Sequence, residues 1–252
     1  MQTPAAAPQP LAARVPDGTR VYAIGDIHGR LDLLDLLLAR MAEDCIRQRP
    51  QRLAVVFLGD YVDRGPASRQ VIERLMRGAP ADGPLAGAEW VCLKGNHEDY
   101  MVRFADDISV GTAWCRYGGI DTLRSYAGEL PEGGNADMGA LQLLLGRVVP
   151  PAHLRFLSRL PLLHREGDYV FAHAGIRPGV ALEDQDPADL MWIRDEFLYD
   201  ARPPEFVVVH GHTPTPTPEI RPHRIGIDTR AYCSGQLTAL VLEGTERRFL
   251  AT

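Results

Sequence analysis

Val21-Tyr-Ala-Ile-Gly25-Asp-Ile-His-Gly29 starts as a short apolar run, breaks on a glycine, and then presents an acid and an imidazole. A run of this length, rich in β-branched and aromatic residues and bounded by glycine, has the signature of a buried strand. The pattern recurs along the chain. Leu53-Ala-Val-Val-Phe-Leu58 ends in Gly59-Asp60, and Trp90-Val-Cys-Leu93 ends in Lys94-Gly-Asn-His-Glu98. Tyr169-Val-Phe-Ala172 ends in His173-Ala-Gly175, and Phe206-Val-Val-Val209 ends in His210-Gly-His-Thr-Pro214. Helical patterns lie between the first runs. Leu33, Leu34, Leu37, Leu38 and Met41 recur at the spacing of one helix face, and Ser68–Met76 is a second such segment. Strand alternating with helix predicts an α/β fold.

Working outward, the stretch from Asp99 to Leu163 reads as mostly helical or irregular, with a break at Gly133-Gly134. Ile225–Thr229 and Leu237–Leu242 read as two closing strands joined by a turn around Ser234-Gly235. Residues 1–17, rich in alanine and proline, offer little to bury and read as a flexible tail. Residues 18–252 then form a single domain. The chain has 252 residues, 45% of them hydrophobic, enough for one substantial core. A net charge of -6 argues against a protein built to neutralise a nucleic-acid backbone, while leaving open an anionic substrate held by metal ions. No apolar run approaches the ~18 residues needed to span a membrane, and the start lacks the apolar segment of a signal peptide. The expectation is a cytoplasmic protein with neither a membrane nor a nucleic-acid partner. Cys45, Cys92, Cys115 and Cys233 are scattered without a Cys-x-x-Cys pair and read as reduced thiols.

The polar residues fall where strands end. Carboxyl ends of parallel strands open onto one crevice, and glycine lets backbone approach a ligand there. A single aspartate after a strand is ordinarily a turn or capping residue. Five such ends in one chain point instead to a common site. If Asp26, His28, Asp60, Asn96, His173 and His212 converge, they offer mixed oxygen and nitrogen donors. That set suits manganese, iron or zinc better than calcium. A shared carboxylate can bridge two such ions about 3.5–4 Å apart.

Gly25-Asp-Ile-His-Gly29, Gly59-Asp-Tyr-Val-Asp-Arg-Gly65, Gly95-Asn-His-Glu98, His173-Ala-Gly175 and Gly211-His-Thr-Pro214 resemble the motif series of the PPP family of metallophosphatases. With Trp192-Ile-Arg194, the resemblance is strongest to its bacterial and phage branch. It runs from about Val21 to Leu242. It implies a metallophosphoesterase fold: a central β-sandwich of mixed sheets flanked by helices, with a dimetal centre at strand carboxyl ends. It further implies Asp26 and His28 on one metal, Asp60 as the bridge, and Asn96, His173 and His212 on the other. His212 rather than His210 matches the motif; His210 reads as supporting or packing. The expected cofactor is a pair of divalent ions, manganese first, with iron or zinc as alternatives.

The same resemblance makes His97 a general acid oriented by Asp63, with Arg64 and Arg194 gripping phosphate oxygens. An aspartate beside an imidazole both orients it and favours its protonated form, and the arginine fork suits phosphate. Tyr61 and Val62 read as packing residues. The implied activity is hydrolysis of phosphomonoesters, foremost phosphoserine and phosphothreonine on proteins, by direct attack of a bridging hydroxide on phosphorus. A symmetrical dinucleoside polyphosphate hydrolase or a broader phosphoesterase is the alternative, and the Asp63-Arg64 pair favours phosphomonoesters over it. A scaffold that kept the fold and lost the chemistry would lack one of these residues, and every one is present.

Arg230 in Ile227-Asp-Thr-Arg230 departs from the pattern, since glycine is frequent there in similar phosphatases. A positive φ at that position would strain it. Surface placement is expected for Arg230, a surface or structural role for His153, His164 and His223, and a solvated loop around Asp184, Asp186 and Asp189.

Overall fold

The computed structural model describes residues 13–130, 137–202 and 205–252. The expected break at Gly133-Gly134 and the first twelve residues of the tail lie outside them. The strands are β1 (Thr19–Ile24), β2 (Arg52–Phe57), β3 (Glu89–Cys92), β4 (Leu163–Glu166), β5 (Tyr169–Ala172), β6 (Val207–His210), β7 (Glu219–Ile220), β8 (Arg224–Gly226), β9 (Thr238–Glu243) and β10 (Glu246–Ala251). They form two sheets of five strands, ordered β10-β9-β1-β2-β3 and β4-β5-β6-β8-β7. Both are mixed: β1, β2 and β3 run parallel, as do β5, β6 and β8, and the outer pairings β1–β9, β9–β10, β4–β5 and β7–β8 are antiparallel.

Side-chain alternation along the strands builds the layers. Val21 and Ala23 of β1 join Ala54 and Val56 of β2, and meet Tyr169, Phe171, Val207 and Val209 of the second sheet in a dry core between the sheets. Tyr22 and Ile24, on the opposite face of β1, pack under helices. The outer face of the second sheet, with Ala172 and Val208, is covered by Leu190, Ile193 and Phe197. The result is helix, sheet, sheet, helix, the expected sandwich.

The helices are α1 (Leu31–Arg47), α2 (Ser68–Met76), α3 (Asn96–Phe104), α4 (Gly111–Trp114), α5 (Ile120–Ala127), α6 (Met138–Val148), α7 (Pro151–Ser158), α8 (Pro187–Trp192), α9 (Asp195–Leu198) and α10 (Ala231–Ser234), with a bulged kink at Cys115–Gly119 between α4 and α5. The leucine stripe of α1 is buried as its periodicity requires. Among the described residues, no helix is long and apolar enough to cross a membrane. All four cysteines are free.

Two expectations are corrected. The segment 13–17 is not a loose tail: Ala13 and Val15 are buried between the sheets, and the Val15 N–H donates to the Gly244 carbonyl at 3.0 Å. The connection between the two closing strands is not a simple turn: α10 lies between them, with β8 in the second sheet and β9 in the first.

Candidate metal centre

The parallel strands β1, β2, β3, β5 and β6 all point their carboxyl ends to one edge of the sandwich. The loops leaving them carry Asp26 and His28, Asp60, His173 and His212 to the same place, and the first turn of α3, directly after β3, brings Asn96 and His97. All seven are buried, the most exposed being His212 at 7%. The second group of donors is tight. Asn96 Oδ1 lies 2.9 Å from both His173 Nε2 and His212 Nδ1, those two nitrogens are 3.2 Å apart, and Asp60 Oδ1 is 3.4 Å from His173 Nε2. In the first group, Asp60 Oδ2 lies 3.6 Å from His28 Nε2 and 3.7 Å from His97 Nε2. Asp60 therefore faces both groups. Asp26 closes the site from β1, its carboxylate accepting the His212 backbone N–H at 3.1 Å.

Electrostatics fit a pair of cations. Asp26, Asp60 and Asp228 are buried together, and among the described residues none forms an ion pair with a lysine or arginine. Burial, then the charges of Asp228 and Asp60, push the Asp26 carboxyl well above its ordinary range. Burial also depresses the imidazoles of His28 and His173, and holds His212 at about 2. These rings are neutral and offer lone pairs, the form a metal binds. His212 Nε2 is buried without any hydrogen-bond partner. Uncompensated carboxylates and clustered neutral imidazoles whose ring nitrogens face one another are costly in a dry interior unless cations enter. The histidines and aspartates are thus arranged for a dimetal site.

Local backbone shape presses these residues into place. The non-glycine residues with positive φ among those described are His28 (44°), Asp60 (53°), Asp63 (71°), Arg64 (67°), His212 (58°) and Arg230 (57°). Left-handed conformations of this kind persist only where the surroundings over-determine them. Gly211 shows how close the approach is, since a Cβ there would lie 2.0 Å from Asp26 Oδ1.

Beside the donors, His97 Nδ1 meets Asp63 Oδ2 at 2.7 Å, and Asp63 is fully buried. Burial opposes protonation of His97, but the charges of Asp60 and Asp63 outweigh it and raise its pKa. Arg64 Nη2 lies 3.3 Å from His97 Nε2, and its guanidinium sits 4.7 Å from the centre of the Tyr232 ring. Arg194 is exposed and reaches Thr213 Oγ1 at 3.3 Å. His210 turns away: its Nδ1 is 3.0 Å from the Gly211 carbonyl and its Nε2 faces Arg224. Tyr61 and Val62 are fully buried in the core under the helices. Arg230 is exposed, and its N–H donates to Asp228 Oδ1 at 2.8 Å. His153 is buried and bonded to Tyr126. The acidic stretch is more ordered than a solvated loop, since Asp186 caps α8 and Asp189 pairs with Arg177.

Sequence reasoning passed over Glu98, Asp228 and Tyr232. Glu98 is fully buried and its carboxylate takes backbone N–H groups of Asp60, Tyr61, Val62 and Gly95. Its signal was present, an acid in the first turn of a helix directly after two candidate site residues. Asp228 lies in the Ile227-Asp-Thr-Arg230 segment singled out only for Arg230, and no local pattern announces Tyr232.

Residues 19–235 match the calcineurin-like phosphoesterase family, and the chain belongs to that family. It is 32% identical over 158 residues to the symmetrical bis(5'-nucleosyl)-tetraphosphatase of Methylococcus capsulatus, a match covering 63% of this chain and 44% of that protein. It is 27% identical over 231 residues to the asymmetrical bis(5'-nucleosyl)-tetraphosphatase PrpE of Anoxybacillus flavithermus, covering 86% of this chain and 88% of that one. Its fold is similar to a candidate diadenosine tetraphosphatase, with 22% identity, TM-score 0.60, and 95% and 98% of the two chains covered. It is also similar to a cold-active protein tyrosine phosphatase, with 18% identity, TM-score 0.51, and 95% and 82% covered. The chain is a metal-dependent phosphoesterase by family.

Proposed function

We propose that this phosphoesterase hydrolyses phosphomonoesters with poor leaving groups, phosphoserine and phosphothreonine on proteins foremost. The observation that carries the reading is the buried Asp63–His97 pair, 2.7 Å apart and next to the donor cluster. Asp26, His28, Asp60, Asn96, His173 and His212 would hold two divalent ions, with manganese favoured by the mixed donor set and iron or zinc as alternatives. When bound, such ions supply Lewis acidity, activation of water and neutralisation of phosphate charge.

The remaining roles belong to the chain. Arg64 and Arg194 bind and orient the phosphate oxygens. Asp63 accepts from His97 Nδ1, which leaves Nε2 directed at the site. His97 gives its proton to the departing ester oxygen. A serine alkoxide leaves badly and needs that proton. A nucleotide phosphate leaves as a group whose second pKa is about 6, and needs it far less.

The second reading is hydrolysis of dinucleoside tetraphosphates, the activity for which the relatives in Methylococcus and Anoxybacillus are named. The deciding experiment measures kcat/KM of manganese-loaded protein on a phosphoserine peptide and on diadenosine tetraphosphate. The peptide is expected to be the better substrate. Rapid cleavage of the tetraphosphate with an inert peptide would overturn this reading in favour of the second. An inert protein on both would overturn both.

A further inference from the structure

Asp63 and Arg64 are consecutive non-glycine residues in the left-handed region, with φ of 71° and 67°. Such a pair does not hold its shape unaided. Ser68 Oγ accepts the Asp63 N–H at 3.0 Å, and the rest of the hold comes from the kinked helical segment from Gly111 to Ala127, an element that contributes no candidate metal donor. Trp114 Nε1 donates to Asp63 Oδ2 at 3.0 Å, and Thr122 Oγ1 donates to Asp63 Oδ1 at 2.6 Å. In return the Asp63 N–H donates to Thr122 Oγ1 at 2.8 Å. At the kink between α4 and α5, the Gly118 carbonyl faces the Arg64 N–H at 3.4 Å. Gly118 has φ 112°, and a Cβ there would lie 2.6 Å from the Arg64 nitrogen. A straight helix would carry neither that carbonyl nor that close approach to Arg64.

Trp114 is fixed in turn. Its ring is fully buried, lies 5.1 Å from Phe104 and is covered by Gly119, where a Cβ would come within 2.4 Å of the indole. An indole N–H only donates, so it holds Asp63 as an acceptor. With Trp114 and Thr122 on their lone pairs, the carboxylate cannot rotate, and Oδ2 stays aimed at His97 Nδ1. That fixes which imidazole nitrogen is left for substrate.

We propose that Trp114 and Thr122 are positioning residues: with the Gly118 carbonyl they clamp Asp63 against His97 and Arg64 beside it, so that protonation of the leaving oxygen depends on a helical bulge. The inference rests on the reading of His97 as the proton donor.

The test compares Trp114→Phe, which keeps a ring and removes the N–H, with Thr122→Val and Thr122→Ser. Turnover of a phosphoserine peptide and of an activated aryl phosphate is measured at matched metal occupancy, in the wild-type and His97→Ala backgrounds. A general acid contributes ~10²–10⁴-fold, and losing one of its partner's donors should forfeit about tenfold of that on the peptide. Trp114→Phe and Thr122→Val are therefore expected to slow the peptide about tenfold and the aryl phosphate less than about twofold. Thr122→Ser restores the peptide rate. In the His97→Ala background, Trp114→Phe adds little further loss, because the two act as one unit. Equal slowing of both substrates, or a full additional loss without His97, overturns the clamp. His97→Ala alone slowing both substrates equally overturns the proton-donor reading and the clamp with it. If Trp114→Phe does not fold, the Thr122 pair decides by the same criteria.

Discussion

Glu98→Gln tests how the loop that carries Asp60 is held. Glu98 Oε1 accepts the N–H groups of Tyr61 at 2.7 Å and Val62 at 3.3 Å, and Oε2 accepts those of Asp60 at 2.8 Å and Gly95 at 2.9 Å. Burial, then the charge of Asp60, push the carboxyl up to about 7, so at pH 8 it is an ionised acceptor for four donors. A glutamine fits the same space but offers one carbonyl. Whichever way the amide turns, its NH₂ faces two backbone N–H groups that have lost their acceptor. Each buried unsatisfied group costs about 1–3 kcal/mol, so the pair costs about 2–6 kcal/mol. Removing a charge beside Asp60 relieves some repulsion, which places the expectation in the lower half of that range. At ~2–4 °C per kcal/mol for a domain of this size, Tm should fall by about 4–16 °C. The loop also sets Asp60 at φ 53°, so bound manganese should fall with it. The assay is thermal unfolding at pH 8 with metal content on the same samples. A Tm within about 2 °C of wild type and undiminished metal would refute this account of the loop.

Further outcomes follow from the same geometry. Asp60→Asn should strip metal, because Asp60 faces both donor groups, while Asp63→Asn should retain it and lose turnover on the phosphoserine peptide; elemental analysis of the two purified variants checks this, and equal metal loss would mean the roles are misassigned. Chelated protein should lose hydrolysis and regain it on adding manganese, and full activity in metal-free protein would exclude the dimetal reading. His153 Nδ1 accepts from the Tyr126 hydroxyl at 2.8 Å, and burial lowers its pKa below the ordinary 6.5. Its neutral form is therefore tied to the fold: the contribution is complete above about pH 6.5 and is lost as pH falls through the lower folded value. Imidazole NMR shifts should show a midpoint below 6.5, and a midpoint at or above it would contradict the packing described.

The central strands were legible because they are apolar on both faces. β5 matches its expected bounds and α2 does as well, while the runs at β1, β2, β3 and β6 are offset by one or two residues. The strands passed over, β4, β7 and β10, are all at sheet edges. Arg247 and Arg248 in β10, and His164 and Arg165 in β4, break the apolar run, and polar edges of this kind are how sheets avoid pairing with another chain. The donor set was legible because glycine and a polar residue follow each buried run directly. The partners that arrive by tertiary contact were not. Trp114 and Thr122 sit 51 and 59 residues beyond Asp63, and nothing near them in sequence marks them as its donors.

Strain and site coincide here, and the coincidence has a physical reading. Among the described residues, five of the six non-glycine residues with positive φ, His28, Asp60, Asp63, Arg64 and His212, are residues the sequence nominated for the chemistry. Each such conformation costs on the order of 1–3 kcal/mol, so each needs its own restraint. The restraints can be named for all five, Arg64 being met by the Gly118 carbonyl at 3.4 Å. Glu98 takes the Asp60 N–H, Ser68 and Thr122 take the Asp63 N–H, the Val62 carbonyl meets His28 Nδ1 at 2.8 Å, and Asp26 takes the His212 N–H. These restraints leave the donor atoms of Asp60, His28 and His212 free to face one another across the cleft. Three buried carboxyls and the neutral imidazoles are then held at short range by groups that cannot neutralise them. Three of the six strained residues, His28, Asp60 and His212, are candidate metal donors, so the backbone is bent where those donors must converge, and the charge they gather suits cations.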